Sequence, residues 1–221
     1  MVIRKAILVD GGFYRQRAMK IFGPKSGKER ADELFNYCMK HCNDKYNDSY
    51  LYRVFYYDCP PISKKVYHPF LKKQIDYGKS ELFIWMNDYI AELTHQRKFC
   101  LRMGKLAEEQ AHFNLRPDVL KELYNGKRIF DSLTENDFML QLSQKGVDMK
   151  IGIDISSLAY KKQVDQIILI SGDSDFVPAA KLARREGIDF ILDPMRANIK
   201  PDLFEHIDGI KSMTPNPNNI K

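Results

Sequence analysis

Near its C-terminal end the chain reads Asp165-Gln166-Ile167-Ile168-Leu169-Ile170-Ser171-Gly172-Asp173-Ser174-Asp175-Phe176-Val177-Pro178. The apolar run at 167–170 is β-branched at three of its four positions, which is typical of a strand covered on both faces by helices. Gly172 permits a sharp bend after the strand, and Pro178 suits the first turn of a helix because its missing N–H would be unpaired there. We therefore expect a parallel sheet flanked by helices, with a helix running on through Arg185.

Two carboxylates follow this strand. Asp173 and Asp175 lie just beyond its carboxyl end, where open α/β sheets bind ligands. Hard cations such as Mg²⁺ or Mn²⁺ prefer oxygen ligands of this kind. The alternative is that one acid caps the next helix and the other is a solvated first-turn residue, both favoured by the helix dipole. Other acids arriving at the same edge of the sheet would decide in favour of a metal site.

Length and composition indicate a globular protein. The chain has 221 residues, of which 44% are hydrophobic, enough for one α/β core or a core with an inserted subdomain. It contains no apolar run of about 18 residues and no signal-peptide pattern, so we expect a cytoplasmic protein without a membrane partner. The net charge of +6 weakly favours a polyanionic partner. Zinc-type spacing is absent from the four cysteines, Cys38, Cys42, Cys59 and Cys100. Cys38 and Cys42 are one helical turn apart, and we expect buried free thiols there in preference to a metal site.

Strands and helices alternate along the rest of the chain. The patterns predict strands at 3–9, 50–57, 99–106 and 188–192, and helices at 13–22, 29–46 and 201–207. Residues 107–137 have no clear periodicity and are interpreted as an insertion or long loop. The expected fold is a three-layer α/β/α domain over residues 1–214, with a central, mainly parallel sheet, a helical or irregular insertion at about 62–137 and a flexible tail at 215–221.

The middle of the chain has two interpretations. Residues 62–109 interleave basic and aromatic side chains, a mixture that suits single-stranded nucleic acid because cations neutralise phosphates while rings stack on bases. The cluster at 83–86, together with Tyr89, Ile90 and Leu93, is better explained as the buried face of a helix. The lysines of the segment keep the binding interpretation open.

Two further acids belong to the predicted edge. Asp10 follows the first strand, and the pair Gly11-Gly12 permits a tight turn and close approach of a ligand. Asp148 begins the helical face that continues through Ile151 and Ile155, so we expect it to point inward near the strand edge. Asp154 lies about 240° further round this helix, which indicates a supporting position or a lysine partner.

The four acids are predicted to converge because strand ends and helix starts meet at one edge of such a sheet. Carboxylates brought together repel one another and raise each other's pKa unless cations neutralise them. One or two Mg²⁺ or Mn²⁺ ions would remove that repulsion, polarise a phosphodiester and activate a water molecule. The expected metal ligands are Asp10, Asp148, Asp173 and Asp175.

Three motifs of the chain resemble those of the NYN domain, a branch of the PIN-like nucleases. They are Ile7-Leu8-Val9-Asp10-Gly11-Gly12-Phe13, then Lys145-Gly146-Val147-Asp148 followed by Asp154, and Ile170-Ser171-Gly172-Asp173-Ser174-Asp175-Phe176-Val177-Pro178. The resemblance covers roughly residues 3–22 and 144–195. It implies a metal-dependent ribonuclease with the catalytic residues Asp10, Asp148, Asp154, Asp173 and Asp175. One departure is that many members carry Asn shortly after the first Asp, where this chain has Gly11-Gly12-Phe13-Tyr14.

We therefore expect an endoribonuclease that cleaves single-stranded or structured RNA with Mg²⁺ or Mn²⁺, DNA and a homodimer being left open. Residues near the acids are expected to contact nucleic acid: Arg15, Lys145, Lys150, Ser171 and Ser174. One alternative is an RNA-binding regulatory protein of the same fold without catalysis. Another is a phosphotransferase with Asp10 as nucleophile, which is disfavoured because the usual Asp-x-Asp pattern is missing at Asp10-Gly11-Gly12.

Overall fold

The structure, a computed structural model, describes residues 2–43 and 48–215. Its strands are β1 (Ile3–Asp10), β2 (Ser49–Asp58), β3 (Lys65–His68), β4 (Lys73–Asp76), β5 (Phe99–Met103), β6 (Lys105–Leu106), β7 (His112–Leu115), β8 (Phe138–Gln141), β9 (Gln144–Lys145), β10 (Gln166–Ile170), β11 (Asp189–Asp193) and β12 (Gly209–Ile210). Its α-helices are α1 (Gly11–Phe22), α2 (Gly27–Cys42), α3 (Glu81–His95), α4 (Pro117–Tyr124), α5 (Val147–Tyr160), α6 (Val177–Arg185) and α7 (Pro201–Glu205). None of these helices has the length and hydropathy that a membrane span requires.

Six parallel strands form the central sheet in the order β12-β11-β10-β1-β2-β5. The first strand of the chain is therefore an inner one, paired with β10 on one side and β2 on the other. Because the strands are parallel, β1, β2, β10 and β11 all end at the same edge. The predicted α/β fold with a central parallel sheet is confirmed.

Helices cover both faces of the sheet. Along β1, Ile7 and Val9 pack with the buried residues of α1, α2 and α3, whereas Ala6 and Leu8 pack with those of α5 and α6. This alternation follows from the two-residue period of a strand. The cluster at 83–93 does supply the buried face of α3, through Met86, Tyr89 and Leu93. The four cysteines are free thiols, and of the pair predicted to be buried Cys38 is buried whereas Cys42 is half-buried.

The largest differences from the sequence predictions lie in the middle of the chain. The predicted strand at 99–106 is divided into β5 and β6 at Gly104, where an added Cβ would lie 2.8 Å from the backbone oxygen of Lys145. Residues 107–137 contain β7 and α4, and β7 pairs with β8 in a two-stranded antiparallel sheet. Residues 81–103, placed inside the predicted insertion, form α3 and β5 of the central layers.

Three smaller features were also missed, namely the β3–β4 hairpin, the strand β9 that pairs with β6, and the short edge strand β12. The hairpin consists of two four-residue strands, too short for a clear alternation to stand out in the sequence. The predicted end of the second helix at Tyr46 and the tail from residue 216 lie outside the described residues.

Candidate active site at the acidic edge

Asp10 ends β1 and caps α1. Its Oδ1 accepts a hydrogen bond of 3.1 Å from the backbone N–H of Phe13, and its Oδ2 accepts one of 3.3 Å from the Ser171 hydroxyl. Burial raises the pKa of the Asp10 carboxyl, and the two hydrogen bonds oppose that shift. The nearby carboxylates of Asp148 and Asp58 raise this pKa further. Asp10 is thus a fixed, half-buried acid beside other acids.

Asp173 and Asp175 follow β10. The backbone N–H of Asp173 donates to the Ser171 hydroxyl at 3.3 Å, and Asp173 Oδ1 accepts from the N–H of Asp175 at 3.0 Å. Asp173 therefore caps the single 3₁₀ turn that precedes α6, as the alternative interpretation expected. Both acids remain exposed. Gly172 is required between them and the strand, because an added Cβ would lie 2.7 Å from the ring of Phe13.

Asp148 lies in the first turn of α5, directly after Gly146 and Val147. Gly146 has a φ of 82°, a left-handed conformation that favours glycine and turns the chain into the helix. The prediction that Asp148 points inward is wrong, since its side chain is exposed at the rim of the sheet. Partial loss of solvent raises the pKa of Asp148, and the carboxylates of Asp173 and Asp175 raise it further.

Asp10, Asp148, Asp173 and Asp175 thus form one electrostatically coupled group, here called the acidic edge. Asp148 interacts with the other three, and Ser171 links the side chain of Asp10 to the backbone of Asp173. Within residues 2–43 and 48–215, none of the four forms an ion pair with Lys, Arg or His. No basic side chain of the described residues therefore lies within ion-pair distance of these four carboxylates.

The donor set of the acidic edge suits a hard cation bound in part through water. No three His, Cys, Asp or Glu side chains of the described residues form a group that could hold a metal ion as they stand. Mg²⁺ nevertheless retains several water ligands and is commonly held by one or two carboxylates together with substrate phosphates. The carboxylate oxygens of the acidic edge fit that type of site and would not provide an all-protein cage.

The sequence prediction missed another acid near this edge, Asp58. Asp58 ends β2, next to β1, and is 1% exposed. Its carboxylate accepts hydrogen bonds of 2.9 and 3.0 Å from Arg15, 2.7 Å from the Tyr56 hydroxyl and 2.8 Å from the backbone N–H of Cys59. The signal was present in the sequence, because Asp58 closes a predicted strand just as Asp10 does.

Asp154 is held outside the acidic edge. Its Oδ2 accepts hydrogen bonds from the Tyr57 hydroxyl at 2.8 Å and from Arg102 Nε at 3.0 Å. Tyr57 and Arg102 are paired positions of β2 and β5, so Asp154 ties α5 to these two strands. The structure therefore brings together four of the five acids in the predicted catalytic set. Asp154 instead has a basic partner, Arg102.

The predicted nucleic-acid contacts divide into two groups. Arg15 binds Asp58, Ser171 binds Asp10, and the hydroxyl of Ser174 accepts from Lys200 Nζ at 3.1 Å. Lys145 and Lys150 instead are exposed on β9 and α5, to either side of Asp148. Lys200, which sequence reasoning did not single out, reaches the loop of Asp173 and Asp175 only because the chain returns to that edge just before α7.

The sequence also matches a known family over its second half. The family model of the NYN domain matches residues 87–203, more than half of the chain. The chain belongs to the NYN domain family. This NYN match contains Asp148, Asp173 and Asp175 but begins after Asp10 and Asp58, which the fold brings to the same edge. The placement within the PIN-like nucleases agrees with the three-layer architecture.

Two individual proteins are similar to this NYN protein. An uncharacterized protein from Methanocaldococcus jannaschii is 22% identical over 94 residues, which are 42% of this chain and 39% of that protein. The chain thus spans about two fifths of the length of that relative. A crystal structure of a protein of unknown function from Vibrio parahaemolyticus aligns with 96% of this chain and 93% of its own, at 13% identity and a TM-score of 0.49.

Proposed function

We propose that this NYN protein is a ribonuclease that hydrolyses RNA phosphodiester bonds at the acidic edge with Mg²⁺ or Mn²⁺. The observation that carries the proposal is the group of four carboxylates without a basic partner in the described chain, two of which have raised pKa values. Membership of a PIN-like nuclease family supports the same reaction class.

The residues of the chain would divide the work as follows. Asp10 is oriented by Phe13 and Ser171 and offers a fixed carboxylate at the centre of the sheet edge. Asp148 lies in the first turn of α5. The exposed Lys145 and Lys150 can bind phosphates of the RNA backbone as point charges. A bound divalent ion would polarise the phosphodiester and lower the pKa of a water molecule.

The first prediction concerns cleavage by Asp173→Asn and Asp148→Asn variants. We expect each to reduce the rate at which labelled single-stranded RNA is cut with Mn²⁺ by at least about 100-fold, because loss of a metal-binding carboxylate costs several kcal/mol of transition-state stabilisation. Mn²⁺ should also raise the melting temperature of the native protein, and we expect this shift to shrink in both variants.

Asp131→Asn is the matched control, since it removes an exposed carboxylate from the 3₁₀ turn at Phe130–Ser132 and should leave the rate and the Mn²⁺ shift unchanged. Equal cleavage by the native protein and the Asp173→Asn variant would refute the proposal.

A second candidate is a non-catalytic RNA-binding regulator of the same fold. Phe13 favours this candidate. The resemblance to the NYN domain implies a polar Asn shortly after Asp10, whereas this chain has an apolar ring there, packed against Gly172, that cannot make a polar contact to substrate. Tight, salt-sensitive RNA binding without turnover under either metal would identify that function.

A further inference from the structure

A second polar site lies on the flank of α5 that carries Asp154 and Ser157. A cavity of about 340 Å³ is lined by residues of α5, of the inner strand β2 and of the edge strand β5. Its charged lining residues are Arg53, Arg102, Lys161 and Asp154, and Tyr52 and Ser157 add hydroxyl groups. Three basic side chains and one carboxylate therefore line the cavity, the opposite balance of charge to that of the acidic edge.

The basic groups of this cavity are largely unused. Among the described residues, Arg53 and Lys161 form no ion pair, and Arg102 binds Asp154 through Nε. A guanidinium carries five N–H donors, so the terminal nitrogens of Arg102 can serve a second acceptor. The guanidinium carbon of Arg102 lies 5.6 Å from the centre of the Phe55 ring, a contact that helps to fix its orientation.

We propose that this cavity, here called the basic pocket, binds a phosphate group. Two arginines and a lysine match a phosphate, because the planar guanidinium pairs with two of its oxygens and the ammonium adds a point charge. Ser157, which also lines the cavity, adds a hydroxyl group as a neutral donor. The volume lies at the small end of the range for ligand pockets, which suits a phosphate and its immediate substituent.

The basic pocket is separate from the acidic edge and does not depend on hydrolysis there. Asp154 is six residues beyond Asp148 on α5, which corresponds to about 9 Å along the helix axis. The phosphate could therefore belong either to an RNA strand that runs past the acidic edge or to a free phosphorylated compound. Asp154 competes with a bound phosphate for the guanidinium of Arg102. Neutralising Asp154 should therefore strengthen phosphate binding.

The test uses the 221-residue chain in EDTA, so that no metal-dependent cleavage occurs. The variant Arg53→Gln/Lys161→Gln removes two charges from the basic pocket, and Lys181→Gln/Arg185→Gln removes two from the exposed face of α6 as a matched control. One arm measures binding of a fluorescent single-stranded RNA by anisotropy over a range of salt concentrations. The other measures the shift in melting temperature produced by pyrophosphate.

We expect the pocket variant to bind at least one probe about tenfold more weakly than the control variant. If the ligand is an RNA strand, the slope of the logarithm of the binding constant against the logarithm of the salt concentration should become shallower. The expected change is about 0.7 for each phosphate that the variant no longer neutralises. If it is a free compound, the pyrophosphate shift should disappear while RNA binding stays equal to that of the control. Asp154→Asn should strengthen whichever response is seen.

Equal behaviour of the pocket and control variants in both arms would overturn the proposal. Both variants alter exposed side chains, and melting temperatures near the native value will show that each has folded. Cleavage with Mn²⁺ by the Asp173→Asn variant tests the acidic edge, whereas binding in EDTA tests the basic pocket, so the two proposals can fail independently.

Discussion

Asp10 and Asp58 end neighbouring strands and lie close enough to raise the pKa of Asp10, yet their surroundings differ. Asp58 is 1% exposed and accepts hydrogen bonds from Arg15, Tyr56 and Cys59. Among the described residues, Asp10 receives hydrogen bonds only from neutral donors, and the other acids of the acidic edge form no ion pair. A buried charge is tolerated only with such partners. The difference separates an acid that holds the fold from acids left available to a ligand.

The largest change in the free energy of unfolding is expected when Arg15, the basic partner of the buried Asp58, is removed. Arg15→Leu leaves Asp58 buried without its guanidinium, and breaking such a pair lowers the free energy of unfolding by about 3 kcal/mol. Urea denaturation followed by circular dichroism measures this loss. Arg184→Leu is the control, because Arg184 pairs with Asp208 at the surface and its loss should cost about 1 kcal/mol or less.

The double variant Arg15→Leu/Asp58→Asn sharpens the comparison. Removing the charge that Arg15 neutralises should restore part of the lost stability, since the single variant suffers mainly from an unpaired buried carboxylate. A single variant as stable as the native protein would show that Asp58 does not need Arg15 and would remove the contrast with Asp10.

An intermediate effect is expected at the turn between β1 and α1. A Cβ at Gly11 would lie 2.5 Å from Tyr56 and 2.6 Å from Asp58 Oδ2, so Gly11→Ala should lower the free energy of unfolding by about 2 kcal/mol through overpacking. At Gly12 the nearest atom is Asp10 Oδ1, at 3.5 Å. Gly12→Ala should therefore be neutral or stabilising by up to about 1 kcal/mol, because Ala favours the helix. Equal urea midpoints for the two variants would contradict this account of the turn.

The smallest change in the free energy of unfolding is expected at the acidic edge itself. Asp148→Asn relieves repulsion from Asp173 and Asp175 but loses a favourable interaction with the N-terminus of α5. The two terms oppose each other, so the free energy of unfolding should change by about 0.5 kcal/mol or less. The same urea experiment measures it. A loss comparable to that of Arg15→Leu would assign Asp148 to the fold and not to ligand binding.

The strand pattern predicted most of the sheet and hence the common edge of Asp10 and Asp173. Parallel strands buried on both faces leave near-continuous apolar runs, which is why 3–9 and 167–170 could be recognised. The small sheets escaped prediction because each depends on pairing between distant short segments, as β7 does with β8. Their local sequences carry little information about such partners.

The candidate site was predicted less completely than the fold. Position after a strand located Asp10, Asp173 and Asp175, but whether an acid is available depends on partners that only the fold supplies. Arg102 meets Asp154 because β5 lies beside β2, a neighbour relation that no local pattern contains. The helical angle between Asp148 and Asp154 did predict that the two would face different surroundings.

The inner position of β1 has a consequence for the timing of biosynthesis. The hydrogen-bonded pair Asp10 and Ser171 is separated by 161 positions, which a ribosome needs roughly 10 to 30 seconds to translate. Throughout that interval the emerging N-terminal segment lacks one of its two sheet neighbours. A nascent polypeptide therefore cannot assemble its four acids until translation has passed Asp175.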